Sequence, residues 1–343
     1  MARPEFHARL LHPRYWATWF GVGVWYLLST LPYRTQLFMG RVLGRALSRV
    51  APRRRKIANA NISLCFPELD ESQRQKLVDE VMESVGIAVF ETGMAWFWPV
   101  RRLRKQMSID GIEHLEATKQ EGVGVILMAL HFTHIDIGAK LLGLDISIDG
   151  SYRPHKNPVF DYIQRTGRER HTMEGHAMPR EDVRGMVKAL RKGRAIWYAP
   201  DQDYGPKHSI FVPFFGIPAA TLTAMSQLSR LGRAKVIPFT QTRKSDGSGY
   251  QLTVHPPLCN FPSGDEYQDC VAVNGIVETL IREQPGQYLW VHRRFKTRPE
   301  GEADLYLPFG VGRKKKKRKA KAVSVHGSTE GKTGAKEKQG QVL

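Results

Sequence analysis

His131 and Asp136 stand five positions apart at the end of an apolar run, a spacing that sets a base beside a carboxylate able to orient it. The run, Gly122 to Leu130 (GVGVILMAL), carries no charge and leads into HFTHID. A second His-x4-acid pair, His176–Glu181, also occurs; with 12 His and 33 acidic residues in 343 positions, chance alone supplies about one. Context separates the two. His176 lies in a polar stretch with Pro179 between the partners, so no buried strand delivers it. His131 follows a short, β-branched run of the kind buried on both faces of a parallel sheet, and catalytic groups of open α/β sheets gather at the carboxyl ends of such strands.

The surrounding pattern alternates strand and helix. Apolar, strand-like runs fall at Val123–Leu130, Ala195–Ala199, Lys235–Thr240, Gln251–Val254 and Tyr288–His292. Helical periodicity falls at Glu71–Trp98, near Pro158–Arg170, Asp182–Lys192, Ala219–Leu231 and Tyr267–Arg282. An α/β domain with a mostly parallel sheet flanked by helices is expected. Three polar clusters follow strand ends: Tyr152-Arg153-Pro154 with Arg165, Arg168 and Arg170 beyond it, Ala199-Pro200-Asp201-Gln202-Asp203-Tyr204-Gly205, and His292-Arg293-Arg294-Phe295-Lys296-Thr297-Arg298. Each alone reads as a charged loop or turn; together the arginines suggest an anionic substrate, because guanidinium forks match phosphate and carboxylate geometry.

Ahead of this body, Tyr15 to Tyr33 is a run of 19 residues without a charge between Arg14 and Arg34. As one helix it would extend roughly 28 Å, just under a hydrocarbon core of about 30 Å. Trp16, Trp19, Tyr26 and Tyr33 sit toward the two ends. A transmembrane or deeply interfacial helix is expected, with a buried core helix as the alternative. Basic residues are denser on its C-terminal side, which favours a cytoplasmic body, and Arg41–Arg49 (RVLGRALSR) has the spacing of a helix lying on anionic lipid. The resulting division is a basic segment at 1–14, the membrane helix at 15–33, a basic helical region at 34–110, the α/β core at 111–310 and a basic tail at 311–343, expected to be disordered.

Composition excludes other classes. Cys65, Cys259 and Cys270 form no C-x-x-C pair and no metal-ligand spacing. No dinucleotide fingerprint, Walker A, zinc-protease or nucleophile-elbow motif occurs. The net charge of +19 is concentrated, with 11 Lys/Arg against 2 Glu in the last 33 residues, and no nucleic-acid-binding module accompanies it. No metal and no cofactor are expected.

HFTHID, YRP, APDQDYG and HRRFKTRPEG, together with LLHPRYW at Leu10–Trp16, LCFPE at Leu64–Glu68 and ETGMAWFWP at Glu91–Pro99, resemble the late acyltransferases of lipid A biosynthesis, within the wider H-x4-D acyltransferase superfamily. The likeness runs from about Leu10 to Leu307 and is similar to the lauroyl and palmitoleoyl types, while NPVFDY at Asn157–Tyr162 is also similar to the myristoyl type. It implies an enzyme on the cytoplasmic face of a bacterial inner membrane. Such an enzyme moves an acyl chain from acyl carrier protein to a 3-hydroxyacyl hydroxyl of the Kdo-bearing lipid A precursor.

In that chemistry His131 is the expected general base and Asp136 its orienting carboxylate, with direct transfer and no acyl-enzyme. Arg168 and Asp201 align with positions that the family uses near its site; Arg153, Asp203, Arg293 and Arg294 are further substrate-binding candidates. The acidic carrier needs a basic face, which Arg53–Lys56 or Arg101–Lys105 could supply. An acyltransferase for a lysophospholipid or other anionic lipid is the nearest alternative, and a non-catalytic anionic-membrane binder the next.

Overall fold

Asp70, Asn157, Asp182 and Asp265 each cap the start of a helix through their side chains. The computed structural model describes residues 5–312 apart from 153, 174, 180 and 181, so Arg153 and the tail beyond 312 lie outside the described residues. Two 3-10 turns, Ala8–Leu11 and Pro13–Tyr15, precede α1 (Trp16–Thr30), α2 (Tyr33–Val50), α3 (Pro52–Cys65), α4 (Glu71–Phe97) and α5 (Val100–Arg104). There follow β1 (Met107–Asp110), α6 (Ile112–Gln120), β2 (Val125–Met128), α7 (Ile135–Leu142), β3 (Ile148–Tyr152), α8 (Pro158–Glu169), β4 (Ala177–Pro179), α9 (Val183–Leu190) and β5 (Ala195–Tyr198). A hairpin of β6 (Ser209–Phe214) and β7 (Ile217–Leu222) leads to α10 (Ala224–Gly232), β8 (Lys235–Arg243), β9 (Tyr250–Val254) and α11 (Glu266–Glu283).

The main sheet has seven strands in the order β1-β9-β8-β2-β5-β3-β4. All neighbours are parallel except β8 and β9. The mostly parallel α/β architecture expected from the sequence is present. Alternate side chains of β2 point to opposite faces, as the period of a strand requires. Ile126 and Met128 join a core shared with α3, α9, α10 and α11. Val125 and Leu127 join a second core shared with α2 and α7. The 27-residue α4 contributes to both cores, its Asp70 forming a capping box with Gln73.

Two sequence expectations fail for identifiable reasons. Ala219–Leu222 is strand rather than helix, because it pairs antiparallel with Ser209–Val212 in a hairpin that turns at Phe215 and Gly216, both at positive φ. Tyr288–His292 forms no strand; its backbone meets the loop after β2 through an isolated Phe132–Tyr288 bridge and the Leu289 N–H to His131 carbonyl bond at 3.0 Å.

The third correction concerns the apolar run at 15–33. Leu31–Pro32 ends α1 after 15 residues, since the residue before proline disfavours the helical region. The freed carbonyls at this end are taken up internally: Gln36 and Trp98 donate to Ser29, and Arg102 donates to Thr30 and Leu31. Among the described residues no helix is long and apolar enough to cross a membrane. Trp25 packs inward on Trp96 and Phe97 with ring centroids at 5.2 and 5.5 Å. Trp16, Phe20, Val24 and Leu27 form an exposed stripe on the opposite side of α1. Next to it, α2 lies so close on α4 that a Cβ at Gly86 would meet the Gly40 carbonyl at 2.2 Å.

One buried charge pair fastens the helical layer to the sheet. Arg243 on β8 forks onto both oxygens of Glu91 on α4 at 2.7 and 2.8 Å, and the Tyr250 hydroxyl donates to the same carboxylate at 2.7 Å. Burial alone would push the Glu91 carboxyl up, but Arg243 and its hydrogen bonds hold it below the ordinary value. Arg243→Met strands that carboxylate in the interior, and equilibrium denaturation should register a loss of about 3–5 kcal/mol. A loss below about 1 kcal/mol would show that the pair does not fasten the layers.

Candidate active site

β2 and β5 are parallel neighbours in register, with Met128 opposite Tyr198. Ala129 extends the ladder by donating its N–H to the Tyr198 carbonyl at 3.0 Å. Three residues past Met128 stands His131, and three past Tyr198 stands Asp201; equal offsets from a shared register bring them together. One Asp201 oxygen accepts the backbone N–H of His131 at 2.9 Å and the other meets its ring Nδ1 at 2.6 Å. The Asp201 side chain has no exposure, whereas that of His131 is 21% exposed. Burial pushes the Asp201 carboxyl up, but the His131 charge and hydrogen bonds more than offset this and hold it below the usual carboxylate range. An ionised carboxylate only accepts, so Nδ1 carries the proton in this contact, and in the neutral ring that leaves the lone pair on Nε2.

The loop that carries His131 is held at several points. Thr133 donates its N–H to the Gln287 carbonyl at 2.8 Å, and its hydroxyl meets that of Ser84 on α4 at 2.8 Å. His134, buried, places Nε2 at 3.0 Å from the Gln241 carbonyl, and burial pushes its pKa down to about 4. It is therefore a neutral strut rather than a second base.

The expected His131–Asp136 contact is replaced by a different arrangement. Asp136 lies in the first turn of α7, and its carboxylate accepts from Arg168 Nε on α8 at 2.8 Å. The orienting partner of His131 is Asp201. Lys140, one turn beyond Asp136, donates to the carbonyls of Gly167, Arg168 and Arg170 at the end of α8, so α7 fixes the segment that carries Arg168. Desolvation pushes the Lys140 pKa down to about 7.

His131, Asp136 and Arg168 line one cavity of about 780 Å³. Its apolar wall includes Trp96, Ile135, Met186, Trp197 and Leu228. The polar lining that the sequence reading missed includes His176, Tyr204, Lys207 and His208. The other candidates lie elsewhere. Asp203 is buried and ties its own turn to the C-terminal loop, accepting from the N–H groups of Gly205 and Thr297 at 2.8 Å. Arg294 is 2% exposed and donates to the Ala220 carbonyl and the Thr221 hydroxyl. Arg293 donates to the Val311 carbonyl. Neither arginine lines the cavity: both hold the C-terminal loop.

Among the described lining residues there is no serine or cysteine, and the described residues form no group of three or more His, Cys, Asp or Glu able to hold a metal. A base with its partner fixed, an apolar cavity and a cation on its wall can deprotonate a hydroxyl beside an anionic group. Comparison with known proteins identifies the family. The family of bacterial lipid A biosynthesis acyltransferases matches residues 3–297.

The chain belongs to that family. It is 45% identical over 304 residues to the lipid A biosynthesis lauroyltransferase of Escherichia coli (strain K12), covering 88% of this chain and 99% of that protein. It is 42% identical over 304 residues to the palmitoleoyltransferase of the same organism, covering 88% and 98%. The myristoyltransferase of that strain is 32% identical over 306 residues, covering 88% and 94%. The protein is thus an acyltransferase of lipid A biosynthesis. Within this acyltransferase Asp201→Asn should flip the His131 tautomer and lower turnover by roughly 10³–10⁴-fold, by analogy with the carboxylate of a serine triad. Steady-state rates measure this, and turnover within tenfold of wild type would contradict the assigned pairing.

Proposed function

We propose that the enzyme transfers a fatty acyl chain from the thioester of acyl carrier protein to a 3-hydroxyacyl hydroxyl of the Kdo-bearing lipid A precursor. The observation that carries this is the His131–Asp201 pair, which leaves a basic Nε2 at the wall of a large, partly apolar cavity. Nε2 takes the hydroxyl proton as the oxygen attacks the thioester carbonyl carbon. The tetrahedral intermediate then collapses, the C–S bond breaks, and the imidazolium returns the proton to the departing sulfur. Asp201 keeps the ring in one tautomer and stabilises its transient positive charge. No acyl-enzyme is required. The lack of a serine or cysteine among the described lining residues supports direct transfer. Arg168, held by Asp136 and the α7–α8 contact, gives the wall a fixed cation for an anionic acceptor.

The acceptor is a lipid, and the reading extends to how the enzyme reaches it. The exposed stripe of Trp16, Phe20, Val24 and Leu27, beside exposed Arg34, Arg41, Arg45 and Arg49 on α2, suits an interfacial seat on an anionic leaflet at the inner membrane's cytoplasmic face.

Two measurements test these readings. Wild type incubated with acyl carrier thioesters of several chain lengths and the Kdo-bearing precursor should add one acyl chain by mass. His131→Ala should lose at least about 10²-fold in rate while still binding vesicles. No product from any donor would refute the transfer reaction. Separately, Trp16→Ala/Phe20→Ala should weaken partition onto vesicles containing anionic lipid by more than about tenfold, since each ring contributes about 1.5–3 kcal/mol on burial. Unchanged partition would remove the stripe from membrane seating.

A further inference from the structure

A second, shallow groove of about 520 Å³ adjoins the active-site cavity, and Val183 and Leu231 line both. Around these two exposed apolar residues stand Arg184, Lys188, Arg191 and Lys192. Arg184, Lys188 and Arg191 are spaced four and then three residues apart, which sets them along one side of α9. Arg191 donates to the Leu231 carbonyl at 2.9 Å and ties α9 to α10. Arg184, Lys188 and Lys192 form no ion pair among the described residues. Cations near the C-terminal end of a helix have a structural reason, since they complement its dipole; a cation in the first turn, where Arg184 lies, opposes it. The fold gives that charge no internal return.

Resting on the transferase reading above, we propose that the α9–α10 face is where the acidic carrier protein of the acyl donor docks. Three observations select this face. The charge is complementary to an acidic partner. The groove adjoins the cavity that holds His131, with Val183 and Leu231 lining both, so a carrier seated there stands beside the site. And α9 and α10 pack on one face of the sheet, whereas α2 and α7 belong to the core on the other face, to which Trp25 and Leu28 of α1 add their inward side. The apolar stripe suited to lipid and the basic groove therefore belong to different layers, leaving a separate approach for each substrate. The clusters that the sequence suggested are less suited: Arg55 pairs with Asp79, Arg102 is spent on carbonyls of α1, and neither Arg53–Lys56 nor Arg101–Lys105 lines the cavity.

The test compares two donors with the full-length enzyme. In Arg184→Glu/Lys188→Glu the KM for acyl carrier protein thioester should rise at least tenfold, with kcat within twofold of wild type. Transfer from the same acyl chain on free pantetheine, which has no carrier, should be unaffected. Fluorescence anisotropy of labelled acyl carrier protein should show the same loss of binding, with Arg184→Gln/Lys188→Gln intermediate. An unchanged carrier KM and anisotropy would overturn the proposal, as would an equal loss with both donors, which would mark a role in the fold or the acyl channel. Lost vesicle binding with an unchanged carrier KM would assign the face to lipid and overturn it too. If wild type transferred from neither donor, the transferase reading itself would fail, while anisotropy would still decide whether the carrier binds this face.

Discussion

The contact between Asp201 and His131 is the constraint on which the remaining arrangement depends. A buried carboxylate is costly unless both oxygens are satisfied, and here one residue satisfies both, through its backbone N–H and its ring. That pair of hydrogen bonds fixes the imidazole's position and tautomer at once. It exists only because β2 and β5 are parallel, adjacent and in register, so that two loops leave the sheet at the same height. Any slip of one strand against the other would separate base and carboxylate.

Around this contact the protein spends its buried polar groups on holding loops. Ser84 and Thr133 join α4 to the His131 loop, Gln287 accepts from the same loop, and the Glu91–Arg243–Tyr250 cluster locks α4 against β8 and β9. Lys140 does similar work for α8, collecting three carbonyls at its end and thereby placing Arg168 beside Asp136. The cavity wall is thus set by two rigid contacts made from different strands and helices. One holds the base and the other holds the cation.

Much of this was legible in the chain because its signals are local. The uncharged run before His131 marked a buried strand, and helical periodicity over Glu71–Trp98 marked α4. The partner of His131 was not local: Asp201 lies 70 residues away, and the family resemblance placed it near the site without pairing it to His131. Asp136 has a suggestive spacing, but in the structure it meets Arg168, across 32 residues of chain. Arg294 and Asp203 looked like substrate ligands because they are charged and follow strands; both are interior, where buried carbonyls and N–H groups needed partners. The run at 15–33 misled only as a membrane span, since Leu31–Pro32 ends its helix and Trp25 turns one side of α1 into the core.

The central claim, that Asp201 holds His131 with Nδ1 protonated and Nε2 free to accept, can be read directly from ring nitrogen chemical shifts. In protein labelled with ¹⁵N-histidine, with His131 assigned by its loss in His131→Ala, the neutral ring of the resting enzyme should show a protonated Nδ1 and an unprotonated Nε2. A resting His131 with its proton on Nε2 would contradict the account.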